Sequence, residues 1–177
     1  MDKLCRLMSS DLPLTIEPKR LARKGATIAG QYAITDMQRL GGLLHDQSGQ
    51  VTFNLDFTHD DDNNVSYIMG NVHVVLNIVC QRCLGLMNFT VDNPVYLGVI
   101  GNQEQAQNLP DECEPLLAGD KPIELSTLIE DEIILALPIA AMHDEEKCEA
   151  TKLTNMNIAG KESPFAILKT LTEKSRK

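Results

Sequence analysis

The chain has 177 residues, a length typical of one domain, and its 25 acidic and 16 basic residues give a formal net charge of -9. Aromatic residues make up 4% of the sequence and Trp is absent, which argues against an aromatic platform that stacks bases of single-stranded nucleic acid. The negative charge also argues against a protein that coats RNA broadly.

Charge is unevenly distributed along what we expect to be a single domain over residues 1–177. Residues 1–44 hold 7 basic and 4 acidic residues, residues 45–150 hold 3 and 19, and residues 151–177 hold 6 and 2. We therefore expect a basic helical N-terminal part, an acidic β-rich core with a helix, and a basic C-terminal helix and tail.

Two short helices are predicted before residue 45. The first covers residues 17–24, and Gly25 suits the left-handed position that follows a helix. The second covers residues 35–44, with Thr35 or Asp36 as its N-cap.

Three successive strands are predicted over residues 51–57, 65–80 and 86–100, which are rich in β-branched and aromatic residues. Their short connections are typical of an antiparallel meander. Gly70 interrupts the second strand and predicts a bulge.

The segment after the meander predicts one buried helix. Residues 101–122 are polar and irregular with one helical turn, and residues 123–125 form a fourth strand. Thr127 and Glu130 have the spacing of a capping box, and Pro138 ends the helix. A last helix is expected over residues 163–171, with Ser163 as N-cap.

Together these elements predict an α+β fold, in which an antiparallel β meander or partly open barrel packs against a buried helix, with short terminal helices.

Cysteines supply the sharpest local motif. Cys80 and Cys83 form a C-x2-C turn at the end of a strand, and His143 and Cys148 follow the buried helix. These four residues suit a tetrahedral Cys3His site for a structural zinc ion. Two alternatives stay open: cysteines packed at a hairpin without metal, and thiol–disulfide exchange, which normally uses a C-x2-C that opens a helix.

A second candidate site is a basic stripe on the first helix. Four basic side chains share one side of the helix at spacings of one, four and five residues: Lys19, Arg20, Arg23 and Lys24. Arg39 extends this stripe. Such a stripe suits contacts to RNA phosphates. A solvated helix, or pairing with the acidic surface of the chain itself, explains it equally well.

Other features argue against catalysis and against secretion. The sequence contains no nucleophile elbow, no phosphate-binding loop and no dinucleotide fingerprint, so we expect no enzyme. It also shows no secretory signal and no membrane-length apolar stretch. Its five cysteines, an odd number, favour a cytoplasmic protein with reduced thiols.

Several motifs in order resemble those of the YceD family, the large ribosomal RNA subunit accumulation proteins of bacteria. They run from about residue 12 to 171: LPLTIEP, the CQRC knuckle, EDEIILALP on a helix, HDEEKC, and SPFAILKTL, where relatives usually have N-P-F. The resemblance implies a non-enzymatic cytoplasmic role in the synthesis, processing or stability of 23S ribosomal RNA during large-subunit assembly.

The partners expected from this resemblance are 23S ribosomal RNA or a pre-large-subunit particle, without a membrane. The acidic middle of the chain would face a basic ribosomal protein or assembly factor. Two alternatives differ in class: an acidic interaction module that binds a basic partner without touching RNA, and a thiol redox protein that uses Cys80 and Cys83.

Overall fold

The computed structural model describes residues 12–150. The helix predicted over residues 163–171 and the basic tail lie outside this range. The described part contains three α-helices, α1 (Pro18–Arg23), α2 (Gln38–Gly41) and α3 (Leu125–Ala136). It also contains seven strands, β1 (Thr15–Ile16), β2 (Thr27–Ala33), β3 (Gln50–Asp60), β4 (Val65–Val79), β5 (Leu86–Ile100), β6 (Glu114–Leu117) and β7 (Ile123–Glu124).

Five of the strands form one open sheet in the order β2-β3-β4-β5-β6. Strands β2 to β5 are antiparallel neighbours, whereas β6 runs parallel to β5. The predicted α+β fold with an antiparallel meander is therefore confirmed. Within residues 12–150 the sheet does not close into a barrel, because β2 and β6 remain its two edges.

The core lies between one face of this sheet and the helices. Residues of β3 alternate as predicted, with Val51, Phe53, Leu55 and Phe57 all at most 4% exposed. Helix α3 packs Leu125, Leu128, Ile129 and Ile133 into the same core. The predicted burial is confirmed for the face that carries these residues, whereas Leu135 is 73% exposed. None of the described helices is long and apolar enough to span a bilayer.

The predicted capping box at the start of α3 is wrong. Glu124 is the N-cap, and its carboxylate accepts hydrogen bonds from Ser126 Oγ and Thr127 Oγ1, both at 3.0 Å. The helix begins early because β7 pairs with β1 immediately before it. Glu130 is thereby free to bind another part of the chain.

The second predicted helix is shorter than expected, and its predicted cap is wrong. Residues Ile34–Asp36 form a 3-10 turn, and α2 follows with Met37 as an N-cap that has no side-chain cap bond. Ile34 and Met37 are 0% and 2% exposed, so burial of apolar side chains fixes this segment in place of a polar cap.

The predicted bulge at Gly70 is also wrong. Pairing continues through this residue, which lies opposite Leu55 on one side and Val95 on the other. A Cβ atom here would collide with the backbone carbonyl oxygen of Asn54. Glycine is therefore required by close approach of two backbones, and not by an irregular conformation.

Candidate metal centre and basic helix

The C-x2-C motif forms the turn between the two longest strands. Cys80 follows β4 directly, and its N–H donates a hydrogen bond to the carbonyl oxygen of Gly85 at 2.9 Å. The N–H of Leu84 donates to the carbonyl oxygen of Cys80 and closes the turn. Leu84 adopts a left-handed conformation with φ of 59°. The tight turn brings both thiols to one side of the hairpin end.

The segment after α3 supplies the other two side chains. It is attached to the hairpin by a hydrogen bond from Gln81 N–H to the carbonyl oxygen of Ala141, at 2.8 Å. A further turn joins Cys148 N–H to Asp144 O at 3.1 Å. His143 and Cys148 therefore reach the thiols across about sixty residues of sequence.

The four predicted metal ligands form one cluster. Their ligand atoms all lie within 4.8 Å of one another, and Cys83 Sγ is 3.3 Å from His143 Nδ1. A tetrahedral zinc ion with bonds of about 2.0–2.3 Å needs ligand atoms roughly 3.3–3.8 Å apart, so a small contraction completes the geometry. The donor set, three thiols and one imidazole, fits structural zinc.

Hydrogen bonds from the backbone prepare Cys80 to be a thiolate. Burial alone raises the pKa of this thiol, but backbone N–H groups, first that of Cys83 and then that of His143, outweigh it. The pKa falls to about 5. His143 N–H donates to Cys80 Sγ at 3.4 Å, the kind of bond that stabilises a metal-bound sulfur.

Cys83 differs because its neighbours are sulfur atoms. The backbone N–H of Gly85 lowers its pKa, but burial and the sulfurs of Cys80 and Cys148 together raise it. One thiolate in the cluster thus discourages a second one, and a bound cation would remove this repulsion. Cys113 takes no part in the cluster; it is buried near Gly98 and serves packing.

The predicted basic helix is present as α1, with Lys24 as its C-cap and Gly25 left-handed at φ of 60°, as expected. Two of its basic residues have intramolecular partners: Lys19 lies 3.2 Å from Asp120, and Arg20 lies 3.6 Å from Glu17. Arg23 and Lys24 are exposed and form no ion pair within residues 12–150.

Arg39 is held by α3. Its Nε donates to Glu130 Oε2 at 2.9 Å, and one terminal nitrogen donates to Asp131 Oδ1 at 2.7 Å. Glu130 also accepts the backbone N–H of Leu40 at 2.9 Å. These carboxylates thus tie α2 to α3, which the sequence spacing gave no means of predicting.

One arrangement has the outline of a catalytic triad but no access for a substrate. His59 Nδ1 lies 3.0 Å from Ser66 Oγ, and His59 Nε2 lies 3.7 Å from Asp61. Ser66 is only 2% exposed, so its hydroxyl serves as an internal hydrogen-bond partner. Asp60, in the neighbouring turn, accepts hydrogen bonds from Asp62 N–H and Asn63 N–H and stabilises that turn.

The fold and the cluster define a small α+β protein with a candidate Cys3His metal centre. The sequence model of the large ribosomal RNA subunit accumulation protein YceD matches residues 68–172. A protein of that name from Haemophilus influenzae is 30% identical over 170 residues, covering 92% of this chain and 97% of its own length. The chain therefore belongs to the YceD family. No solved structure matches it significantly.

Proposed function

We propose that this protein acts, without catalysis, in the synthesis, processing or stability of 23S ribosomal RNA during large-subunit assembly in the cytoplasm. The observation that carries the proposal is family membership, supported by a relative with that name aligned over nearly both full lengths. The protein acts by binding, through a basic helix on an otherwise acidic body.

RNA contact is assigned to α1. Arg23 and Lys24 are exposed and unpaired among the described residues, so they can meet phosphate without first breaking an ion pair. Lys19 and Arg20 would exchange their present carboxylate partners for phosphate. Arg39 would give up two carboxylates to bind RNA, and its contribution should be the smallest of the five.

The test is crosslinking of the protein to RNA in cells, followed by sequencing of the bound RNA. Recovery of 23S precursor sequences is expected. Reversing Arg23 and Lys24 together to Glu should abolish most of this signal and reduce the salt dependence of binding to pre-large-subunit particles, since each lost phosphate contact lowers the slope by about one. The double exchange Arg23→Lys with Lys24→Arg keeps both charges and is the matched control.

The alternative of a protein-interaction module is supported by the 19 acidic residues between residues 45 and 150. It predicts co-sedimentation with the large-subunit particle that survives the charge reversal, together with no RNA crosslink. That combination would replace the RNA-binding proposal by one in which a basic ribosomal protein is the partner.

We propose that Cys80, Cys83, His143 and Cys148 hold one structural zinc ion. Four protein ligands leave no open position for a substrate, so the ion would stabilise the fold and take no part in chemistry. The purified protein should contain one zinc per chain, lost in Cys83→Ser and in His143→Ala and retained in Cys113→Ser. A metal-free protein with a reversible Cys80–Cys83 disulfide would favour the redox alternative.

A further inference from the structure

An apolar groove opens beside the cysteine cluster, between the end of α2, the end of β4 and the end of α3. Its volume is about 750 Å³. Apart from His45 and Gln81, its lining side chains are apolar; they include Leu43, Ile78, Ile134, Leu137 and Ile139. Because most of the side chains that line it are apolar, the groove suits apolar side chains of a peptide.

The rim of the groove exposes large apolar side chains to solvent. Leu43 is 57% exposed, and Ile139 is fully exposed. Met142, which follows the groove residue Ala141 in sequence, is 48% exposed. A contiguous apolar patch around a groove marks a surface that another segment covers.

The part of the chain that the structure describes ends close to this groove. Cys148 lies in the cluster with Cys80, and Gln81, the next residue after Cys80, lines the groove. Residues 163–171, SPFAILKTL, follow after a connection of about fifteen residues. A random-coil chain of fifteen residues spans about 20 Å on average, which is enough to reach a groove beside its starting point.

The pattern of residues 163–171 suits the groove. In the helix predicted from the sequence, Phe165, Leu168 and Leu171 recur every three residues and lie on one face. Lys161 lies just before the segment and Lys169 lies within it, whereas the chain beside the groove carries four carboxylates between residues 144 and 149. Tethering gives the segment an effective concentration in the millimolar range, so docking with a dissociation constant well below about 1 mM keeps the groove filled.

We propose that the apolar face of residues 163–171 docks in the groove between α2, β4 and α3. The docked segment covers Leu43 and Ile139, beside the cysteine cluster. This inference is independent of RNA contact, because none of the groove residues belongs to α1.

Site-specific photocrosslinking on the full-length protein tests the proposal. p-Benzoylphenylalanine is incorporated in place of Ile139, and in a control protein in place of Leu117, which is 61% exposed on β6 and lines no part of the groove. After irradiation and trypsin digestion, position 139 should crosslink to the peptide of residues 162–169, and position 117 should not.

Two variants of the segment distinguish crosslinks that depend on docking of the apolar face from crosslinks that arise only because the segment is tethered nearby. Phe165→Asp removes the largest apolar side chain of this face and should lower the crosslink yield about tenfold, since burying a Phe is worth more than a factor of ten in occupancy. Thr170→Asp adds the same charge away from the apolar face and should leave the yield unchanged. Equal loss in both variants would overturn the proposal.

Mixing isotopically labelled and unlabelled protein identifies which chain supplies the segment. Crosslinked peptides in which both halves carry the same label support docking within one chain. Crosslinks that join labelled to unlabelled peptides would assign the groove to a second copy and overturn the proposal. Crosslinks formed in cells only to a different protein, with peptide 162–169 absent, would overturn it as well.

Discussion

The imidazole of His143 lies with its Nε2 atom 3.1 Å from the backbone carbonyl oxygen of Leu86. A carbonyl oxygen only accepts, so Nε2 must carry the proton and donate. In the neutral ring this leaves Nδ1, on the cluster side, as the atom with a free lone pair. A backbone group of β5 thus fixes both the orientation and the tautomer of a candidate zinc ligand.

The first prediction is that zinc-loaded protein holds His143 in the tautomer protonated at Nε2. Nitrogen chemical shifts of the ring, measured by NMR, report the tautomer directly. His73 is the comparison, because its Nδ1 atom lies 3.9 Å from Asp92 Oδ1 and a proton on Nδ1 is favoured there instead. A His143 ring protonated at Nδ1 would contradict coordination through that atom.

The second prediction is that removing metal loosens the segment after α3 while leaving the sheet intact. A strong chelator should speed hydrogen exchange at the Gln81 amide, which holds that segment through its hydrogen bond to Ala141 O. It should also speed exchange at the His143 amide, which donates to Cys80 Sγ. The amide of Val72, a fully buried residue in the middle of β4, should be unaffected. Uniform acceleration at all three would indicate global unfolding of a metal-dependent fold instead.

Sequence periodicity predicted those parts of the fold that burial dictates. The alternation of Val51, Phe53 and Leu55 predicted β3, and the apolar sequence of α3 predicted a buried helix, of which one face is buried while Leu135 is 73% exposed. The four clustered residues were predicted as candidate ligands because a C-x2-C turn and a later His and Cys supply thiols and an imidazole, which are zinc donors. Each of these signals is carried by side-chain chemistry that is visible in short windows of sequence, although the cluster combines two windows about sixty residues apart.

Other features depend on partners that are distant in sequence. Strand β2 lies in the N-terminal part that was expected to be helical, and β6 lies in a polar segment with prolines; both form because β3 and β5 offer free edges. The role of Glu130 could not be predicted, because Arg39 and Leu40 meet it across ninety residues. The groove beside the cluster likewise exists only after three separate elements pack.

The third prediction concerns Gly70. Gly70→Ala should destabilise the protein by about 3 kcal/mol or more, because the new methyl group would collide with the backbone of β3 and separate two paired strands. Urea unfolding measures the loss. Gly42→Ala is the matched control: the nearest atom to its Cβ would be Arg39 O at 3.6 Å, an ordinary contact, and its stability should change by less than about 1 kcal/mol.

The fourth prediction concerns the carboxylate that joins α2 to α3. Glu130 is 6% exposed, and Glu130→Ala would leave the Leu40 N–H without an acceptor and Arg39 without its more buried partner. A loss of about 2–3 kcal/mol is expected in urea unfolding. Asp131→Asn, at the half-exposed end of the same arginine, should cost less than about 1 kcal/mol. Equal losses of stability in the two variants would show that the buried hydrogen bond from the Leu40 N–H to Glu130 contributes little.

The fifth prediction concerns Glu132, which is 7% exposed. Burial, followed by the negative charges of Glu114 and Asp131, raises its pKa, and a hydrogen bond from Asn93 Nδ2 at 3.1 Å offsets this only in part. The folded protein therefore binds this proton more tightly than the unfolded chain does. Its contribution to stability is greatest below the unfolded-state pKa, near 4.3, and declines as the pH rises through the folded-state pKa.

Replacing this carboxylate by a neutral amide should remove that dependence. Glu132→Gln keeps an acceptor for Asn93 and should raise the free energy of unfolding at pH 7 by about 1 kcal/mol, because no charge is then buried. The difference from the unmodified protein should shrink towards zero as the pH is lowered below the unfolded-state pKa, where the glutamate is protonated in both states. Glu112→Gln, at an exposed position, should show no such pH-dependent gain. A gain that persists unchanged at low pH would assign the effect to packing, since protonation could not then be its cause.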